Sequence, residues 1–262
     1  MASNKWVREE LILAVNLYCQ IPFGTVHARN PKIIELAKIL GRTPSAVSWK
    51  LANLASLDPI LKKRSIAGAS HHSNLDAKVW EEFNSNWDLA IFESEKILAE
   101  KTGQSLEQLA NIETFDLSTF GKEREAIVKV RINQNFFRKS VLAAYSFKCC
   151  ITGLGTPELL NASHIIPWAK DVENRVNPRN GLCLNAIHDR AFDRGLLTIT
   201  TDFKVKISNF IKNNKTDPAL QDFLFRYDGV EIKMPTRFFP NVAFLEYHNK
   251  NVFKHIECEM SV

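Results

Sequence analysis

A chain of 262 residues with 45% apolar and 24% charged side chains is long enough for two modest domains and has the balance of an ordinary soluble globular protein. No apolar run approaches the roughly 20 residues that cross a bilayer, and the stretch Met1 to Trp6 lacks a signal peptide's apolar core, so a cytoplasmic protein without a membrane partner is expected. Five cysteines with no Cys-x-x-Cys spacing argue against a disulfide framework and against a zinc ribbon.

The net charge of +5 is unevenly spread. Residues 1–65 carry 10 Lys/Arg against 4 Asp/Glu, residues 66–128 carry 5 against 12, and residues 129–262 carry 19 against 13. Two basic segments flank an acidic one, which is the pattern of two surfaces facing a polyanion joined by a part that does not.

The first predicted helix runs from about Lys5 to Cys19, with Val7, Leu11, Ala14, Val15 and Tyr18 at helical spacing, and stops at Ile21-Pro22-Phe23-Gly24. Asn30-Pro31 opens a second helix through an N-cap and a proline at the first helical position. Gly41 can end it in the left-handed conformation. Thr43-Pro44 then repeats the same start for a third helix reaching about Ala55. Two helices joined by a short turn with Gly form a helix-turn-helix candidate. Val47, Leu51 and Leu54 are expected inside, leaving Arg42, Ser45, Ser48, Lys50 and Asn53 as the DNA-binding candidates, with a basic run over 62–64 beyond them.

Small residues over 66–73 suggest a linker. Residues 75–110 read as helical, with Val79, Trp80, Phe83 and Trp87 at three-to-four spacing between acidic side chains, and are expected to serve as a spacer or dimerisation arm. Residues 125–147 read as one long helix, burying Val128, Ile132, Phe136, Val141 and Tyr145.

The most informative stretch follows. Leu159-Leu-Asn-Ala-Ser-His164-Ile-Ile reads as a strand ended by Pro167, Gly181-Leu-Cys-Leu184 as a second, and His188 to about Arg194 as the start of a helix. Asn180 lies just before the second strand. Phosphodiester hydrolysis needs a base to take a proton from water and a cation to hold the charge on the leaving oxygen. Neutral imidazole suits the first task, and a divalent ion held by a few imidazoles, carboxylates or amides suits the second. A hairpin from Leu196 to Ile207, a helix from Pro218 to Tyr227 and a closing element from Pro240 to Phe253 complete the reading.

The run Cys150-Ile-Thr-Gly, Ala-Ser-His164-Ile-Ile-Pro-Trp, Asn177-Pro-Arg-Asn180-Gly-Leu-Cys-Leu and His188-Asp-Arg-Ala-Phe-Asp193-Arg-Gly resembles the HNH branch found in predicted bacterial restriction endonucleases. The resemblance implies an α+β, mostly helical chain. It would comprise a helix-turn-helix DNA-binding domain (1–65), an acidic helical spacer (66–124) and a C-terminal ββα-metal HNH domain (125–262).

It also implies His164 as general base, Asn180 as the residue that orients the catalytic loop, and His188 as a metal ligand. Ser163 stands where many HNH enzymes have a stronger ligand, so Asp193, ahead of Asp189, is expected to supply an oxygen. Arg190 and Arg194 are candidates for the scissile phosphate. The implied activity is metal-dependent cleavage of double-stranded DNA, foreign and possibly modified, by a homodimer using Mg²⁺, with Mn²⁺, Ni²⁺ or Zn²⁺ as other options. The competing expectation is a DNA-binding regulator with a non-catalytic HNH fold.

Overall fold

The protein is described by a computed structural model covering residues 5–59, 61, 72–112, 121–212 and 217–254. The basic run over 62–64, most of the linker and His255 lie outside these residues. The fold is α+β and mostly helical. It divides into two compact units, Met1–Ala144 and Tyr145–Val262.

The first unit is helical. Helix α1 (Arg8–Gln20) is its centre, with Leu11, Ala14, Val15, Tyr18 and Cys19 fully buried. Helices α2 (Pro31–Ile39) and α3 (Pro44–Ala55) pack on each other and on α1. Both expected caps form: the Asn30 side chain accepts from Lys32 N at 2.9 Å and Thr43 Oγ1 from Ala46 N at 3.2 Å. Helix α4 (Asn74–Ser85) and helix α5 (Trp87–Thr102) break at Asn86 instead of running on, because the Asn86 side chain caps α5 by accepting from Leu89 N. Gly103, at φ +69°, ends α5 before the short α6 (Leu106–Leu109).

The aromatic stripe of the acidic segment packs inside the first unit. Val79, Phe83, Trp87 and Ile91 are buried, and Phe83 meets Trp87 edge-on at 5.5 Å. Both rings also touch Phe136 of helix α7 (Gly121–Ala144), at centroid distances of 6.2 and 6.0 Å. Helix α7 buries Val128, Ile132, Phe136 and Val141 as expected, but packs on α1 and α5. It thus belongs to the first unit, and the boundary falls at residue 144 instead of 124.

Two cations expected on a free DNA face are instead internal. Lys50 Nζ lies 2.8 and 2.9 Å from the carboxylate oxygens of Asp76, which is fully buried. Arg42 donates to both oxygens of Glu10, at 2.8 and 2.7 Å, with its guanidinium 4.2 Å from the Trp6 ring centroid. An ammonium or guanidinium drawn this far from water persists only with a bound carboxylate. Burial pushes the Glu10 carboxyl up, but the bonds from Arg42 and from Val7 N outweigh it and hold it below the usual carboxylate range. On α3, Ser45 is exposed, Ser48 and Asn53 are half-buried, and Trp49 stands 65% exposed.

The second unit is built on an antiparallel pair, β1 (Leu160–His164) and β2 (Gly181–Asn185), with Ser163 opposite Leu182 and His164 opposite Gly181. Helix α8 (Ala186–Asp193) follows β2 directly, because the Asn185 side chain caps it by accepting from His188 N at 2.9 Å. Strands β3 (Leu197–Ile199) and β4 (Val205–Ile207) form the expected hairpin. Helices α9 (Asn209–Lys212), α10 (Pro218–Phe223) and α11 (Val242–Asn251) complete the unit.

Two contacts tie the closing helix to this frame. Gly195, at φ +68°, passes so close to the chain at Val252 that a β-carbon would lie 2.1 Å from the Val252 carbonyl oxygen. His248 stacks on Phe192 at 3.7 Å, with Nδ1 2.7 Å from Thr198 Oγ1 and Nε2 3.2 Å from the Phe192 carbonyl oxygen. Among the described residues, no helix is long and apolar enough to cross a membrane.

Candidate active site

The hairpin loop between β1 and β2 is held by Asn180, whose side chain is fully buried. Its Oδ1 accepts from Ile166 N at 2.8 Å, and its Nδ2 donates to the carbonyl oxygens of Ile166 and Asn174 at 3.2 and 3.3 Å. Its own carbonyl oxygen accepts from Ile165 N at 2.9 Å. One side chain thus satisfies the backbone just after His164 and pins the far side of the loop. Only an amide supplies a donor and an acceptor in this plane.

His164 ends β1. Its Nε2 lies 2.8 Å from the carbonyl oxygen of Arg175, which can only accept, so the ring proton is on Nε2 and Nδ1 is the basic nitrogen of the neutral ring. The Trp168 ring meets the imidazole edge-on at 5.5 Å, and the Arg175 guanidinium lies 5.0 Å from the Trp168 centroid. Burial lowers the His164 pKa, against the opposing pull of the Arg175 carbonyl and of the Asp189 charge. The ring is kept neutral near physiological pH.

Across from β1, helix α8 presents Asp189. One carboxylate oxygen accepts from Asn161 Nδ2 at 2.7 Å, and the other accepts from the Ser163 hydroxyl. Asn161 and Ser163 are two residues apart in the strand and so share one face. Asp193 lies one helical turn beyond. Its pKa is raised by partial burial and by Asp189, against the pull of Arg190 and Arg194. Both arginines are exposed.

The expected metal ligand His188 faces elsewhere. It is buried, with Nε2 2.6 Å from the Phe223 carbonyl oxygen and Nδ1 near Asn185 Nδ2 at 3.2 Å and Cys149 Sγ at 4.0 Å. Burial pushes the Cys149 thiol up, but the contacts with His188 and Thr152 outweigh it and bring it down to about 6. Helical geometry explains the correction: successive residues point about 100° apart, so His188 and Asp189 cannot both face β1. Asp189, and not His188 or Asp193, stands beside Ser163.

Among the described residues, no three His, Cys, Asp or Glu side chains gather around one point where an ion could sit. The oxygens at hand are the Asp189 carboxylate and the Ser163 hydroxyl, hard donors of the kind that suit Mg²⁺ or Mn²⁺, while the Asn161 amide turns its nitrogen to the carboxylate. The sequence reading missed Asn161, Trp168 and Arg175. The Asn-x-Ser alternation in β1 was the available signal for the first.

No curated protein matches the chain. Residues 149–200 match the family described as HNH endonuclease. This segment holds β1, the Asn180-pinned loop, β2, α8 and β3. HNH nucleases generally use a divalent metal, which the oxygen donors on β1 and α8 fit. The match and the fold of this segment thus support an HNH endonuclease domain over residues 149–200.

Proposed function

We propose that the protein is a metal-dependent endonuclease that hydrolyses phosphodiester bonds of double-stranded DNA, with restriction of foreign DNA as its role. The observation that carries this reading is the pairing of His164, fixed as the Nε2–H tautomer by Arg175, with a loop pinned by the buried Asn180.

His164 takes the proton of an attacking water on Nδ1, and the carbonyl of Arg175 steadies the imidazolium that results. Asn180 acts through the backbone and is a positioning residue. Asp189, with Ser163 and Asn161 beside it, would hold a divalent ion. When bound, that ion supplies charge for the phosphate and the leaving oxygen. Arg190 and Arg194, exposed at the end of α8, are placed by this reading on the DNA backbone.

In the first unit, the capped pair α2 and α3 supports a helix-turn-helix reader, but with a revised contact face. Lys50 and Arg42 are committed to Asp76 and Glu10, so Ser45, Ser48 and Asn53 remain, joined by the exposed Trp49. Cutting both strands calls for two active sites, which a homodimer would bring together.

Incubation of supercoiled plasmid with the protein and Mg²⁺ or Mn²⁺ tests the reading. Nicked or linear product that disappears with a chelator is expected.

A further inference from the structure

The first unit holds a cavity of about 260 Å³ between α1, α2, α5 and α7. Leu13, Leu17, Leu36 and Leu98 form its apolar walls, and Lys32 and Lys139 border it. Small-molecule sites run from about 300 to 1,000 Å³, so this one has room for a ring and little more. A recess of about 20 Å³ opens beside Gln20, Glu95 and Phe136.

The polar floor has a defined sense. Asn16 is buried, and its Nδ2 donates to Ser94 Oγ at 2.7 Å and to Glu95 Oε1 at 3.1 Å. Its Oδ1 therefore faces Gln20, and accepts from Gln20 Nε2 at 2.6 Å. With these groups committed, the floor's remaining acceptors are the second carboxyl oxygen of Glu95 and the side-chain amide oxygen of Gln20; burial raises the Glu95 pKa, against the Asn16 bond and the Lys139 charge. At the border, Lys32 and Lys139 stand with Glu35: burial and then Lys139 lower the Lys32 pKa, and their effect outweighs the opposing pull of the Glu35 carboxylate. Two neighbouring ammonium groups repel, and an anion between them removes that cost.

Acceptors inside and paired cations outside select a ligand with a donor at its inner end and an anionic group at its outer end. We propose that this cavity binds one nucleotide whose base carries an exocyclic amine. The ring sits between the leucine walls, the amine donates to Glu95 and Gln20, and the phosphate lies between Lys32 and Lys139. The nucleotide arrives either free or as a residue turned out of DNA, and the second source alone rests on the nuclease reading.

Calorimetric titration of the full chain with dCMP, dUMP and inorganic phosphate tests this, since dCMP and dUMP share sugar, phosphate and ring and differ on one base edge, an amine beside a bare N3 in the first and a carbonyl beside N3–H in the second. Binding of dCMP at least tenfold tighter than dUMP or phosphate is expected. The Lys32→Ala/Lys139→Ala variant, changed only at exposed positions, should weaken dCMP binding at least tenfold with its thermal unfolding unchanged. Glu95→Ala should erase the preference for dCMP over dUMP.

A duplex carrying 2-aminopurine separates the sources. A fluorescence rise that the lysine variant lacks supports DNA, and dCMP binding without such a rise supports the free nucleotide. Nucleotide binding by a protein that cuts no DNA would leave the cavity assignment standing and remove the nuclease reading. Failure of both dCMP and the 2-aminopurine duplex to bind would overturn the proposal, as would binding unchanged in the lysine variant.

Discussion

The imidazole of His164 donates through Nε2 to the carbonyl oxygen of Arg175 at 2.8 Å, and this one bond decides which ring nitrogen is basic. Trp168 guards the arrangement, edge-on to His164 on one side and beneath the Arg175 guanidinium on the other. Replacing Trp168 by Leu should let the ring and the 171–175 loop move. We expect turnover to fall by roughly tenfold, the scale set by small misplacements of a catalytic group, with KM changed far less. Steady-state kinetics on plasmid DNA would measure the split, and a change confined to KM would argue against a positioning role.

The correction at α8 separates three neighbours. Asp189→Asn should raise the metal concentration needed for half-maximal cleavage, by on the order of 10–100-fold, while Asp193→Asn should change it little. His188→Ala should act on the fold, because it leaves the Phe223 carbonyl and the Cys149 thiol without their buried partner. A loss of about 2–4 kcal/mol of stability is expected from the cavity and the unpaired groups. Metal titration and urea unfolding of the three variants would distinguish these roles. Equal metal defects in all three would return His188 to the ligand set.

In the first unit, Lys50 and Asp76 offer a stability test. Lys50→Ala leaves a fully buried carboxylate without its cation, which should cost about 3–5 kcal/mol. Trp49→Ala, at a residue 65% exposed, should stay within about 0.5 kcal/mol. If Trp49 touches DNA, that variant should bind DNA more weakly at unchanged stability. Urea melts and gel-shift titrations read the two quantities separately.

The pH dependence of stability should carry the mark of His248. Burial between Phe192 and Thr198 pushes its pKa down to about 4 from 6.5. Between these values the unfolded chain binds more protons than the folded one, so stability rises with pH across this window. The His248 contribution is complete above about pH 6.5 and is lost as pH falls towards 4, by about 3 kcal/mol in all. In His248→Gln that part of the slope should vanish. An unchanged slope would assign the acid sensitivity to other groups.

Much of this was legible in the sequence, for physical reasons. The caps at Asn30 and Thr43, the β1–β2 order and the Asn180 turn are local, and local chemistry is written in adjacent residues. The fates of Lys50 and Arg42 were not, because Asp76 lies 26 residues from Lys50 and Glu10 lies 32 from Arg42. A lysine at an outward-seeming helical position is drawn inside only when a distant carboxylate meets it. In the acidic segment the aromatic spacing was visible, but its partner, Phe136 on α7, lies about fifty residues on and was not. At α8 the His188–Asp189 pair was visible, but which of the two faces β1 depends on helix phase to within one residue.

The most direct measurement is plasmid cleavage by the wild-type protein and by His164→Ala, each with and without Mg²⁺ or Mn²⁺, with folding checked by circular dichroism. The account predicts nicking or cutting by the wild type only with metal, and a loss of about 10²–10⁴-fold in the folded variant, the usual contribution of a general base. Cleavage by His164→Ala at the wild-type rate, or no cleavage of any DNA by the wild type with either metal, would contradict it.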